Sequence, residues 1–515
     1  MVDDGLPRRR PALKCAILMT RPLRTTPITT ATNDVRQQAV PFWAVIFCIT
    51  AALWALLVWF PLSRVGAHYS IEYNEGFNAY AEQSALNGRP IYGAPPQFTW
   101  VNYPPLSFHL IAEAARVTGD VNLTGRWSSL AAYLAIAALA AMIVYRLFGS
   151  VRYGFFSGVC WLIWLASLAP ERIGYNDPHV LGLALSAAGF YCYVRGGDSR
   201  RWLMASACLF AASLFVKQSL IALPAAAAVQ IFIESKQKLG VWLGTAAGAC
   251  CVLLTATFAL DGRFFLQHMD LPRTWALAGT MDHLSTYVLL LQMPMLIAIC
   301  WVWSVSSGSN RILALAAIIA HVEGAVFCAG AGAGSNHLFE AMLSLAMITG
   351  AAVPELLRLV RVTRFQSAFA TLVVVAPFFF TSALNLPRRI PFDLAQHAIA
   401  PRRESDFESQ VALLRSRPGP AICENLLLCF DAGKPFTYDP FEAGEAFKTG
   451  RVDESRILEL LEHHEFAAIE LGIRPTEPLR PAARYRFSAA FMRVLFAQYT
   501  PVFRGIESVV FVPKT

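Results

Sequence analysis

Charged residues are scarce in this chain of 515 residues: they make up 15% of the sequence, against 56% hydrophobic residues. Soluble domains carry about 25% charged residues, so the composition excludes a wholly soluble protein. The sequence also lacks a Walker loop, a His-Glu-x-x-His motif and an Asp-x-Asp motif. Their absence argues against ATP-driven transport by this chain, a zinc protease and the metal site of soluble nucleotide-sugar transferases.

Long apolar runs are what the sequence has instead. The run from Pro41 to Phe60 contains no charge, and about 20 mostly apolar residues suffice to cross a bilayer. Spans are predicted near 41–61, 126–145, 153–169, 178–194, 202–216, 219–233, 240–260, 284–304, 311–330, 337–353 and 365–382. The fold class predicted is therefore mainly α: a polytopic membrane helix bundle with about eleven spans.

The basic residues indicate orientation rather than nucleic-acid binding. The net charge is +8, but lysine and arginine stand in short patches at the ends of apolar runs. They concentrate in the N-terminal tail, 1–39, and in alternate loops, as the positive-inside rule requires. We therefore predict an integral protein of the bacterial inner (plasma) membrane with a cytoplasmic N-terminus and no nucleic-acid partner. With eleven spans, the C-terminal part is extracytoplasmic.

The loops and the change of composition near residue 383 define the domain organisation. The transmembrane domain covers 40–383 and includes a large first extracytoplasmic loop, 62–125. Within that loop, 104–118 opens on two prolines and contains Glu113 and Arg116, which predicts an interfacial helix rather than a span. Loops of this length are usually functional, so we expect the chemistry to face outward.

The C-terminal part, 384–515, is predicted to be a small soluble extracytoplasmic α/β domain. It reads as a strand and short helix at 420–432, an amphipathic helix at 453–463, a strand at 466–471 and two strands around Gly505. Of the eleven cysteines, only Cys15, Cys423 and Cys429 lie away from apolar runs. Cys423 and Cys429 form either a disulfide, if the domain is extracytoplasmic, or two free thiols.

Two acids stand out in the first loop, Glu72 and Glu75, just past the first span. Partial desolvation near a membrane raises the pKa of a carboxyl group and makes it a better base. The alternative is two solvated loop acids. A third acid, Asp177, precedes Pro178. It is either a helix cap, or a ligand for an acceptor hydroxyl or, with Glu75, for a metal.

Other candidates are a lone lysine and a polar segment near the outer surface. Lys217 lies between two apolar runs, where a lysine must be paired or must extend to the interface. The glycines at 330–334 predict an unwound helix end, followed by His337 and Glu340. These two side chains are one helical turn apart and either face a cavity together or make a polar contact between helices.

The order of motifs in the first loop resembles that of the GT-C membrane glycosyltransferases. An acidic stretch, Gly76 and an aromatic residue precede Gly88-Arg89-Pro90-Ile91-Tyr92 and then Asn102-Tyr103-Pro104-Pro105-Leu106. The branch that it resembles contains protein O-mannosyltransferases and the lipid A aminoarabinose transferase. That family commonly has an Asp-Glu pair where this chain has Asn74-Glu75. The departure leaves Glu75, which we favour, or Glu72 as the catalytic base.

The resemblance also implies ligands. The donor would be a polyprenyl-phosphate sugar, and the acceptor a glycan, a lipid or a protein beside membrane lipids. Candidate phosphate-binding cations are Lys217, Arg172 and Arg273, because a departing phosphate needs positive charge. Asp177 and Asn74 would bind the acceptor or a divalent metal, which is left open as a cofactor. Tyr103, His337 and Glu340 would line the cavity.

Two other classes of function remain open at the level of sequence. A transporter of a lipid-linked sugar or small solute would place acids in several spans near mid-membrane, often with repeats. No repeat is visible, and the candidate charges cluster in the outside loops. The other is a non-catalytic membrane scaffold that recruits partners through the soluble domain.

Overall fold

The computed structural model describes residues 32–94, 98–196, 199–303, 308–359, 375–472 and 486–514. Most of the predicted tail 1–39 and of the predicted span 365–382 lies outside them. The helices of the membrane part are α1 (Thr32–Ser63), α2 (Asn74–Leu86), α3 (Leu106–Thr118), α4 (Val121–Phe148), α5 (Val151–Leu168), α6 (Pro178–Gly196), α7 (Arg200–Val216), α8 (Ala222–Glu234), α9 (Lys236–Leu260), α10 (Phe265–Met269), α11 (Leu277–Trp303), α12 (Gly308–Phe327) and α13 (Phe339–Leu359).

The predicted mainly helical membrane bundle is confirmed. Among the described residues, seven helices are long and apolar enough to cross a membrane. The predicted spans at 178–194, 202–216 and 219–233 form α6, α7 and α8. Helices α7 and α8 have only 17 and 13 residues, and α6 is less apolar than the seven. The count of eleven spans is therefore not confirmed, while a helix does form at each predicted span that the structure describes.

The helices of the bundle differ in how much of their surface meets other helices. In the most apolar 18 residues of Ser335–Val353, a stretch that is mostly α13, 94% of the residues are buried within the protein, whereas in those of α9 only 6% are. The centre is filled by large side chains such as Trp161 and Trp164 of α5, both fully buried. A helix that is apolar all round and buried only at its edge is suited to lipid contact, so α13 is central and α9 peripheral.

The first loop is built from two short helices, α2 and α3. The predicted helix at 104–118 forms as α3, which begins after Pro105 and ends at Gly119 in the left-handed conformation with φ 82°. Its 13 residues are too few to cross a bilayer, in agreement with an interfacial helix.

The C-terminal part contains a small four-stranded sheet, as predicted. Its elements are α14 (Phe380–Ser416), β1 (Ala421–Cys423), α15 (Leu426–Asp431), α16 (Pro440–Lys448), α17 (Ser455–Glu462), β2 (Ala468–Gly472), α18 (Ala489–Gln498), β3 (Tyr499–Arg504) and β4 (Ser508–Pro513). The strand order is β1-β2-β4-β3, with β1 parallel to β2 and the other pairs antiparallel. Cys423 and Cys429 form a disulfide. Helix α14 is continuous through residue 384, so the change in composition there does not coincide with a break in structure.

The C-terminal domain rests on the first loop through α15. A Cβ atom added at Gly76 of α2 would lie 2.1 Å from the backbone nitrogen of Leu427 and 2.3 Å from the carbonyl carbon of Leu426. Real Cβ atoms do not approach backbone so closely. Glycine at 76 therefore allows α2 and α15 to make direct backbone contact.

Replacing Gly76 by alanine is expected to separate α15 from α2. Overpacking costs about 1–3 kcal/mol or more, and here the obstacle is backbone that cannot rotate away. We expect a lower melting temperature in detergent and faster proteolysis of the C-terminal domain. Gly66→Ala is the matched control, since nothing lies within 4 Å of its added Cβ; equal behaviour of the two variants would contradict this contact.

Candidate active site

A cavity of about 500 Å³ lies where the first loop, the segment after α12 and the C-terminal domain meet. The residues predicted from the sequence that line it are Glu72, Asn74, Tyr103, Arg172, Asp177, Lys217, Arg273 and His337. These residues come from widely separated parts of the chain, and the fold brings them to one place. Glu75 and Glu340, also predicted, do not line it.

Glu75 is fully buried and binds Arg126 instead of facing the cavity. Its Oε1 accepts from Nε of Arg126 at 2.7 Å, and its Oε2 accepts from Nη2 of the same guanidinium at 2.7 Å. Oε2 also accepts from the backbone N–H of Ile71, and Oε1 from that of Asn176. This placement does not support Glu75 as the catalytic base or as a metal ligand with Asp177, because both oxygens are already occupied.

Arg126 is a key residue that the sequence reasoning did not single out. Its guanidinium also donates to the backbone carbonyls of Val65, Ala67 and Tyr69. The ion pair thus ties α4 to both ends of the turn that leads from α1 to Glu72. An arginine inside an apolar helix is the signal that would have found it.

Glu340 has a structural role at the start of another helix. Its carboxylate accepts from the backbone N–H groups of Ala222 and Leu223, at 3.2 and 3.0 Å. These groups belong to the first turn of α8, whose N–H groups lack partners within the helix. Glu340 therefore caps α8, and only His337 of the predicted pair lines the cavity.

Glu72 is the first-loop acid that reaches the cavity. Its Oε2 accepts from the hydroxyl of Tyr175 at 2.7 Å and from the backbone N–H of Asn74 at 3.1 Å. Within the described ranges, Oε1 has no hydrogen-bond partner. One oxygen is thus held in place while the other is available to a ligand.

Asp177 has the capping role that the sequence predicted for it, and it also lies beside Arg172. Its Oδ1 accepts from the backbone N–H of His179 at 2.8 Å, which confirms the predicted cap of α6. Its Oδ2 lies 3.7 Å from a guanidinium nitrogen of Arg172. Both side chains line the cavity, so Asp177 also fixes the position of Arg172.

Lys217 supplies a cation with no carboxylate partner. Its ammonium lies 3.4 Å from the centre of the Tyr103 ring, and in the part of the chain that the structure describes no carboxylate oxygen lies within 4 Å of it. Burial lowers the pKa of Lys217 to about 8, although nearby Asp177 opposes that shift. An anion that entered the cavity would relieve this unpaired charge.

The C-terminal domain contributes part of the wall through the first turn of α16. The Tyr73 hydroxyl donates to Oδ1 of Asp439 at 2.6 Å, and Arg273 donates to Oε1 of Glu442 at 2.6 Å. Arg486 lies over the Tyr73 ring at 3.7 Å. Glu442 and Arg486 line the cavity. The pattern Asp439-Pro440-x-Glu442 predicts a helix start, but nothing in it predicts contact with Tyr73, which lies 366 residues earlier in the sequence.

Burial affects the acids of α16 strongly. It raises the pKa of Glu442 to about 7, with Asp439 reinforcing the shift and Arg273 opposing it. Burial likewise raises the pKa of Asp439, while the bond from Tyr73 lowers it. The turn therefore carries two carboxyl groups that burial pushes toward their neutral forms.

The glycine segment closes the remaining side of the cavity. Gly332 has φ +74°, and a Cβ there would lie 2.3 Å from the ring of Phe441. A side chain at this position would displace α16 from the cavity.

Among the residues described, no group of three or more His, Cys, Asp or Glu side chains could hold a metal ion.

Comparison of the whole fold identifies solved structures of the same architecture, although no family model and no curated protein matches the sequence. One is ArnT from Cupriavidus metallidurans bound to undecaprenyl phosphate, with 13% identity, a TM-score of 0.57 and coverage of 91% of this chain and 97% of that chain.

Two further matches come from Archaeoglobus fulgidus. The apo oligosaccharyltransferase has 10% identity and a TM-score of 0.54, with 89% of this chain and 73% of that chain covered. The oligosaccharyltransferase AglB in complex with an inhibitory peptide and a dolichol-phosphate has 11% identity and a TM-score of 0.50, with 83% and 69% covered. The chain therefore has the fold of the GT-C membrane glycosyltransferases.

Proposed function

We propose that this protein transfers one sugar from a polyprenyl-phosphate donor to a hydroxyl of an extracytoplasmic glycan, lipid or protein. The observation that carries the proposal is that one cavity is lined both by Lys217 and by Glu72. Among the described residues, Lys217 has no carboxylate partner and one oxygen of Glu72 has no hydrogen bond. The fold supports it, since ArnT and AglB have been solved with undecaprenyl phosphate and dolichol-phosphate.

The proposed reaction is a single displacement. Glu72 removes the proton from the acceptor hydroxyl, and the acceptor oxygen forms a bond to the anomeric carbon. The bond from that carbon to the phosphate oxygen breaks, and the polyprenyl phosphate leaves with the bonding electrons. One such step inverts the anomeric centre, as in inverting glycosidases.

The three cations of the cavity have different roles in the proposed binding of phosphate. Arg172 and Arg273 are held by Asp177 and Glu442, whereas Lys217 has no carboxylate partner in the described part of the chain. Lys217 is therefore the primary phosphate ligand in this proposal, and the two arginines complete a positive wall. Charge placed before the reaction stabilises the phosphate as it leaves.

The proposed orientation follows from the positive-inside rule. The N-terminus is cytoplasmic, and the cavity and the domain from 384 to 515 face outward from the bacterial inner membrane. The disulfide between Cys423 and Cys429 supports this orientation, because such bonds persist in oxidising compartments.

Lys217→Met is expected to weaken the binding of undecaprenyl phosphate by at least about tenfold, since a hydrogen bond to a charged group contributes about 1.5–3 kcal/mol. Native mass spectrometry of the detergent-solubilised protein measures this affinity. Lys236→Met is the control, because Lys236 begins α9 and does not line the cavity. Unchanged binding by Lys217→Met, or an equal loss in the control, would rule Lys217 out as the phosphate ligand.

A further inference from the structure

The segment that carries Tyr103 has an irregular backbone at the edge of the cavity. The Lys217 ammonium, the proposed phosphate ligand, lies over the face of the Tyr103 ring, and Asn102 and Tyr103 both line the cavity. Neither of these two loop residues belongs to a helix or a strand, so no regular pattern of backbone hydrogen bonds fixes them. The geometry of the segment therefore depends on the side chains that bond its backbone.

His268 of α10 is one of these side chains, and both of its ring nitrogens bond the first loop. The backbone N–H of Val101 donates to Nδ1 at 2.9 Å, and Nε2 lies 2.9 Å from the carbonyl oxygen of Gly93. A peptide N–H is always a donor, so Nδ1 is an acceptor and carries no proton. The proton is then on Nε2, which donates to Gly93. Burial lowers the pKa of His268, against the effect of the bond to Gly93, and so favours this neutral form.

The two bonds of His268 do not have equal weight. Val101 is only 5% exposed, and a buried N–H is costly to leave without a partner. Gly93 is exposed, so water can replace the donor to its carbonyl oxygen. The bond on which the loop depends is therefore the one from Val101 to Nδ1.

Two further side chains complete the attachment of the segment. The Tyr92 hydroxyl donates to the carbonyl oxygen of Tyr103 at 2.8 Å. The Gln218 amide donates to that of Asn102, also at 2.8 Å. Together with His268, these side chains hold three successive residues of the loop. His268 itself is 6% exposed and does not line the cavity, so its effect on a ligand there is exerted through this segment.

We infer, on the basis of the proposed function, that His268 is a positioning residue of the donor-phosphate site: its Nδ1 fixes Val101 and thereby holds Tyr103 beneath the Lys217 ammonium. The face of an aromatic ring attracts a cation that lies over it. Since Lys217 has no carboxylate partner among the described residues, a displaced Tyr103 ring leaves its ammonium without this contact. His268 thus sets the affinity for the donor phosphate without touching it.

The test uses two amide substitutions that each preserve one of the two bonds. In His268→Asn, Oδ1 takes the place of Nδ1 and can accept from Val101, while the bond to Gly93 is lost. In His268→Gln, Nε2 can still donate to Gly93, but the N–H of Val101 loses its acceptor. Each substitution is made in the full-length wild-type protein and in Lys217→Met. Native mass spectrometry of the detergent-solubilised proteins gives the affinity for undecaprenyl phosphate.

His268→Gln should weaken the binding of undecaprenyl phosphate by about tenfold, the usual effect of leaving a buried N–H unsatisfied. His268→Asn should stay within about threefold of wild type, because water can replace the exposed bond that it loses. In the Lys217→Met protein, His268→Gln should weaken binding no further, since residues that act through one another are not additive. A purely structural role of His268 would not produce this dependence on Lys217.

Four results would overturn the inference. They are wild-type affinity in His268→Gln, an equal loss in His268→Asn, a loss in His268→Gln that persists undiminished in the Lys217→Met protein, and failure of His268→Gln to yield folded protein. Failure of the wild-type protein to bind undecaprenyl phosphate would instead remove the proposed function, on which the inference rests.

Discussion

Glu72→Gln should lower the rate of sugar transfer by about 10²- to 10⁴-fold, the usual contribution of a general base. Glutamine keeps an oxygen that can accept from the Tyr175 hydroxyl, so the loop should retain its shape. Its neutral amide cannot remove a proton from the acceptor. Transfer is measured with purified protein, a polyprenyl-phosphate sugar donor and extracted envelope acceptors.

The control for this variant is Glu404→Gln. Glu404 also contacts the first loop, by accepting from the backbone N–H of His68, but it does not line the cavity. It should transfer sugar at close to the wild-type rate. The assignment of Glu72 as base fails if Glu72→Gln retains activity within about twofold of wild type while remaining folded.

Glu75→Gln should damage folding rather than chemistry. It leaves the Arg126 guanidinium buried without its counter-charge, and breaking one partner of a buried ion pair costs about 3–5 kcal/mol. That is a large part of the 5–15 kcal/mol that stabilises most domains. We expect a low yield of folded protein and a clearly lower melting temperature in detergent.

An exposed pair on the same loop provides the comparison. Glu113 and Arg116 lie 2.8 Å apart, close to the 2.7 Å of the buried pair, but their side chains are 68% and 55% exposed. Such surface pairs contribute at most about 1 kcal/mol, so Glu113→Gln should melt almost as the wild type does. A Glu75→Gln protein as stable as Glu113→Gln, yet inactive, would return Glu75 to the role of base.

Much of the fold could be predicted from the sequence because membrane helices leave a strong local signal. Apolar runs of sufficient length predicted the helices, and the prolines before α3 and at the start of α6 marked helix ends. The residues of the candidate site could also be recognised from their local sequence. Acids, arginines and a lysine that interrupt or follow apolar runs are unusual, and five of those selected line one cavity together with Asn74, Tyr103 and His337.

The choice between Glu72 and Glu75 could not be made in this way. The two residues are three positions apart, so the start of α2 decides which of them faces the cavity and which faces α4. That outcome depends on Arg126, whose position opposite Glu75 is a matter of tertiary structure. The resemblance to a family dipeptide favoured Glu75, whereas the geometry supports Glu72.

The contribution of the C-terminal domain to the cavity could not be predicted from local sequence for the same reason. Asp439 and Glu442 are recognisable as part of a helix start, and the Asp439 side chain does cap that helix. Their contacts with Tyr73 and Arg273 join residues more than 160 positions apart. The packing of α15 against Gly76 and of Phe441 against Gly332 helps to bring them to the cavity.

The most direct test of the central claim is mass spectrometry of lipid-linked sugars and envelope glycans. Cells that lack the protein are compared with cells that carry it intact or carry Glu72→Gln at the same membrane level. The account predicts that one polyprenyl-phosphate sugar accumulates and one glycan residue disappears without the protein, and that only the intact protein restores both. Unchanged lipid-linked sugars and glycans in all three strains would contradict it.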